Sequence, residues 1–169
     1  MPNELNTPEW VRKHNEQKAE EARLEAAATE QRRVAVATVH AGGPDFWTRF
    51  VERTIVNVRV LPDLKDEELV GSASHALPGG MSPEHHLHIQ VNRQSVRFHP
   101  ALSKMNLWYA PGGNQIRRWY QDQEMPNLVL CASGEGVVAS VDGRIYTAEQ
   151  LADHVVEWMA ARVQVRRSA

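Results

Sequence analysis

Cysteine is nearly absent: Cys131 is the only one in 169 residues. A single thiol excludes an intrachain disulfide and any zinc site built from several thiolates of one chain. Long apolar runs are missing too, and nothing approaches the ~20 residues that span a bilayer. The opening MPNELNTPEW lacks the basic and apolar parts of a signal peptide, so the expectation is a cytoplasmic protein that meets no membrane. A strong charge of one sign is lacking as well. Nineteen basic and 21 acidic residues leave a net charge of -2, which supplies no field to gather nucleic acid. G-x-S-x-G, the P-loop, H-E-x-x-H and C-x-x-C are all absent. No internal repeat and no sustained heptad is visible.

What is present falls into three zones. Residues 1–43 are charged and Ala-rich and read as an N-terminal helical arm. Thr7 suits an N-cap, Pro8 the first helical position, and Glu9 the positive end of the dipole. From Glu9 to Arg33 most residues are strong helix formers. Its apolar stripe is poor, so such a helix buries little alone and points to self-association or a protein partner. Val34–Val39 reads equally as helix or strand. Gly42, Gly43 and Pro44 are expected to stop whatever precedes them.

Residues 44–169 read as an α+β domain. Asp45 is expected to cap a helix to about Leu61, whose Phe46, Trp47, Phe50, Val51, Ile55 and Val58 make a wide apolar face. The stretch Thr54–Val60 also fits a strand. Short strands are expected at Leu69–Leu77, His86–Asn92, Ser95–His99, Lys104–Ala110, Gln115–Gln121, Asn127–Ala132 and Val137–Val141. Pro78-Gly79-Gly80, Pro111-Gly112-Gly113-Asn114 and Asp142-Gly143 are the clearest turns. Spacers this short imply antiparallel pairing. Thr147 with Gln150 is a capping box, and Leu151, Val155, Trp158, Met159 and Val163 form the stripe of a last helix. The expected fold is an antiparallel meander sheet of about five or six strands. Two helices pack on one face, and a long charged N-terminal helix precedes them.

One constellation carries chemical potential. Four of the eight histidines lie between positions 85 and 99. In a strand from His86, residues Leu87, Ile89 and Val91 face one way; His86, His88, Gln90 and Asn92 face the other. If Arg93-Gln94 closes a tight hairpin, His88 stands opposite His99. His86, His88 and His99 then form a candidate three-histidine zinc site with one open position. Imidazoles on a solvated face also need no ligand.

Other signals are weaker. Gly134-Glu135-Gly136 with Ala139 matches a dinucleotide fingerprint but reads better as a hairpin turn, because valines follow it. Trp108, Tyr109, Trp119 and Tyr120 flank a turn, with Arg117 opposite Trp108 in a simple register. Core packing explains aromatics more often than nucleic-acid stacking does. Cys131 sits in an apolar strand as inert packing. The leading expectation is therefore a binding or regulatory module without catalytic activity, self-associating through its N-terminal helix. The alternatives are a zinc-dependent hydrolase or lyase using the three histidines, and a small-ligand-binding protein with its pocket between sheet and helices.

Overall fold

The computed structural model describes residues 7–61, 69–77, 84–93, 102–134 and 136–165. Contacts divide the chain into two compact units, residues 1–35 and 36–169. The first helix, α1, is Glu9–Val60. Its opening turn is anchored on the Pro8 carbonyl, which accepts from the Val11 and Arg12 amides. Within the first unit the helix presents exposed ion pairs at helical spacing, Glu9–Lys13, Glu20–Arg23 and Glu30–Arg33. Trp10 and Leu24 are solvent-exposed there.

The second unit has α+β architecture. Its remaining elements are β1 (Leu69–Ala76), β2 (His85–Arg93), β3 (Leu102–Tyr109), β4 (Gln115–Tyr120), β5 (Gln123–Ser133), β6 (Gly136–Val141), β7 (Arg144–Tyr146) and α2 (Ala148–Val165). The seven strands form one antiparallel sheet in sequence order. No helix among the described residues is long and apolar enough to cross a membrane.

Alternation decides which side is core. Leu87, Ile89 and Val91 of β2, Met105, Leu107 and Tyr109 of β3, and Ile116 of β4 are buried. Phe46, Trp47, Phe50, Val51 and Val58 of α1, with Leu151, Val155 and Met159 of α2, belong to the same core cluster. Each such side chain gains ~1.5–3 kcal/mol on burial before entropy is counted. The two helices are also tied to each other. Arg53 Nε and Asn57 Nδ2 both donate to Asp153 Oδ1, at 2.9 and 2.7 Å. The capping box is formed as well: the Thr147 amide donates to Gln150 Oε1 and the Gln150 amide to Thr147 Oγ1.

Three expectations are corrected. Gly42-Gly43-Pro44 does not end a helix, and Asp45 does not cap a new one; both lie inside α1. The two glycines serve close approach instead. A Cβ on Gly42 would stand 2.7 Å from Val137 Cγ2, and one on Gly43 would overlap the Tyr109 hydroxyl. Pro44 is tolerated although it removes one helical amide, and its own carbonyl also accepts from Thr48 Oγ1 at 3.0 Å. The ambiguous stretches 34–39 and 54–60 are helical.

The second correction concerns strand number, which among the described residues is seven rather than five or six. Arg144–Tyr146 is a three-residue strand too short to show alternation. It follows an Asp142-Gly143 turn whose residues both have positive φ, 48° and 77°, as a two-residue hairpin loop requires.

The third is the register of β2. Its neighbours are β1 and β3, so His88 stands opposite Ser74 and Asn106. Both edges of β2 are taken, so the cross-strand neighbours of His88 are Ser74 and Asn106; Gln94 and His99 lie outside the described residues. The expected strand Ser95–His99 and the turn at Pro78-Gly79-Gly80 lie outside the described residues.

Candidate functional site

The two faces of the sheet present different chemistry. On the face away from the helices, His86 and His88 lie side by side, as alternation predicts. Asn106 joins them: its Oδ1 meets His86 Nε2 at 3.0 Å and His88 Nδ1 at 2.9 Å. The amide oxygen is an acceptor, so both ring nitrogens that meet it donate. His86 stacks on Trp108, with centroids 4.8 Å apart and an interplanar angle of 8°. Trp108 pairs with Arg117 in register, and the guanidinium lies 5.9 Å over its ring. Arg117 also donates to Glu84. The structure thus brings two of the three proposed metal ligands onto one face; His99 lies outside the described residues. Among the described residues no three His, Cys, Asp or Glu side chains are grouped as a metal site needs. Gly136 opens strand β6, not a helix, so Gly134–Gly136 is part of a hairpin.

The helix-covered face holds a second cluster that sequence reasoning did not assemble. A cleft of about 380 Å³ opens between α1 and the ends of β1, β2 and β3. From α1, Pro44, Trp47, Val51 and Ile55 form its apolar wall, with Glu52 beside them. From the sheet come His75, Leu77, His85 and Tyr109. Register explains the gathering: His85 pairs directly with Tyr109, and His75 and His85 occupy the inward-facing positions of adjacent strands.

Four rings close on one another here. Trp47 stacks on Tyr109 (5.5 Å, 25°), Tyr109 on His85 (6.5 Å, 26°) and His85 on His75 (5.7 Å, 16°). Trp47 Nε1 donates to His75 Nε2 at 3.3 Å, completing the circuit. Since Nε2 accepts, neutral His75 carries its proton on Nδ1. Burial, then the neighbouring His85 and His86 imidazoles, hold His75 below the ordinary imidazole range. Burial pushes the Tyr109 phenol up, against a weaker opposing pull from the Gly112 backbone.

Two polar atoms in this cluster are buried without a hydrogen-bond partner among the described residues: Tyr109 Oη and His85 Nδ1. Tyr109 is 0% exposed, and its hydroxyl lies against Gly43, where an added Cβ would overlap it. An unsatisfied buried hydroxyl costs ~1–3 kcal/mol.

Half of this cluster was open to sequence reasoning. Alternation already places His85 on the Leu87 and Ile89 side of β2, away from His86 and His88. His75 and Trp47 needed the tertiary fold. No family model, no curated protein and no solved structure matches this chain.

Proposed function

We propose that this protein is a binding module for a small molecule held between α1 and the β1–β3 end of the sheet. The observation that carries the reading is a cleft of about 380 Å³ that Trp47, Val51 and Ile55 of α1 share with His75 and His85 of the sheet. That volume lies within the range of small-ligand pockets, ~300–1,000 Å³, and the mostly apolar wall with a few convergent polar atoms matches their usual composition.

The protonation states favour recognition over acid–base chemistry. A general base works best with a pKa near the operating pH. Here His75 is shifted down and committed to the Trp47 indole, and Tyr109 is shifted up. Around neutral pH both keep one protonation state, which suits a fixed pattern of donors and acceptors.

The test is a fragment screen by NMR on the full chain, with neutral, cationic and anionic fragments. Imidazole and indole resonances are followed. The expected result is saturable shifts at Trp47, His75 and His85 with one or more fragments. Shifts confined to His86, His88, Trp108 and Trp119, or none at all, overturn the reading.

A further inference from the structure

The two edges of the sheet meet solvent differently. At one edge, β7 is three residues long and opens on Arg144. A short strand carrying a charge is a common way to blunt an edge. At the other edge, β1 runs for eight residues, Leu69–Ala76, without a Lys, Arg, Asp, Glu or Pro. Its register with β2 is unbroken from Leu69 to Ala76. Among the described residues, no strand pairs with its other side. Ser72, Ser74 and Ala76 are exposed. An open row of amides and carbonyls this long is a template for another extended strand.

The flank of α1 beside this edge is complementary to itself. Arg49, Arg53 and Asn57 turn toward α2, where they meet Glu149 and Asp153. Thr48, Glu52 and Ile55 turn the other way and share the cleft with His75 and Leu77. Arg59, two helical turns beyond Glu52, continues that flank and is exposed. The ion pairs of this stretch are Arg49 with Asp45 and Glu149, and Arg53 with Asp153; Glu52 and Arg59 form none among the described residues. The height of this flank is fixed by two contacts. A Cβ on Gly71 would stand 2.7 Å from Val58 Cγ1 and 2.6 Å from Leu61 Cδ1, and His75 accepts from Trp47. Helix and strand therefore run in opposite directions, and the middle of β1 falls near the level of Ile55.

We infer that two copies of this chain join edge to edge through β1, antiparallel about a two-fold axis near Ser72 and Ala73, with Glu52 of each copy meeting Arg59 of the other. In a two-fold contact one patch serves both copies, so it has to match itself. β1 sets no like charges opposite one another. Its small residues Gly71, Ser72, Ala73 and Ser74 let two backbones approach. Reversing the direction of α1 about Ile55 exchanges Glu52 with Arg59, so both ion pairs form at once. An unrelated extended peptide would satisfy the edge of β1 but would gain nothing from this charge order. The contact lies within residues 36–169 and does not depend on a ligand in the cleft.

Sedimentation equilibrium of the full chain at low salt, over roughly 1 μM to 1 mM, gives the self-association constant. Dimers are expected within that range. Glu52→Arg sets like charges together twice in each dimer, and so does Arg59→Glu. Each is expected to weaken association about tenfold. The double variant reverses both charges and is expected to return to within about threefold of the parent. Within one chain the two exposed side chains stand ~10 Å apart along the helix, so a merely structural role predicts no such rescue. Ser74→Lys puts a charge on the open edge and is expected to weaken the dimer more than tenfold. Circular dichroism checks its folding, and the charge exchange decides the matter if it fails to fold. A monomer across the whole range overturns the inference. So does a dimer that the single variants leave unchanged, or one that the charge exchange does not restore.

Discussion

Tyr109→Phe removes one oxygen atom, and the structure gives that oxygen an unusual sign. Its hydroxyl is buried without a partner among the described residues, inside a residue with 0% exposure. In the unfolded chain the same hydroxyl is hydrated, so folding costs ~1–3 kcal/mol for stripping it. Phenylalanine avoids that cost. Against it stands the loss of a handful of packing contacts, each ~0.1–0.2 kcal/mol, or ~0.5–1 kcal/mol together. The net expectation is that the variant is at least as stable as the parent, by up to about 2.5 kcal/mol. At a chain length near 170 residues, 1 kcal/mol moves Tm by ~2–4 °C. Urea unfolding at pH 7, with the slope m checked for constancy, reads this directly. A variant less stable by 1 kcal/mol or more refutes the reasoning, because it means the hydroxyl has a partner in the free protein.

Gly43→Ala gains ~1 kcal/mol of helix propensity but drives a methyl group into the Tyr109 hydroxyl, an overpacking worth ~1–3 kcal/mol. Net destabilisation is expected in the parent and a neutral or stabilising effect in the Tyr109→Phe background, read as a double-mutant cycle in urea. Stability is expected to fall as pH drops below the ordinary imidazole value of 6.5, because His75 is held below it in the fold and the unfolded chain takes up the proton first. His75→Gln should flatten that part of a Tm-against-pH profile, and an unchanged profile contradicts the assignment. Thr147→Ala breaks the capping box of α2 and is expected to cost about 1 kcal/mol in urea unfolding.

Much of the architecture follows from local rules that the sequence displays openly. Alternation in β2 separates Leu87, Ile89 and Val91 from His86 and His88, and burial follows that division. Thr147 and Gln150 announce α2. Where the reading failed, a tertiary contact overrode a local signal. Gly42-Gly43-Pro44 looks like a terminator, yet the glycines are what let α1 approach Val137 and Tyr109. The β4–β5 turn at Gln121-Asp122 has φ of 48° and 62° without any glycine. It carries no compositional mark, so the first residues of β5 were missed. The β2 partner was misassigned because the eye joins adjacent runs, whereas residues 94–101 separate β2 from β3. The cleft was legible only in part. An inward histidine at 85 follows from periodicity, but its meeting with Trp47 and Tyr109 depends on how α1 crosses the sheet.

The account stands on the cleft between α1 and the β1–β3 end of the sheet. The NMR fragment screen on the full chain tests it most directly. Saturable shifts of the Trp47 indole and of the His75 and His85 imidazoles are predicted with one or more fragments. Shifts confined to the Trp108 face, or none at all, would contradict it.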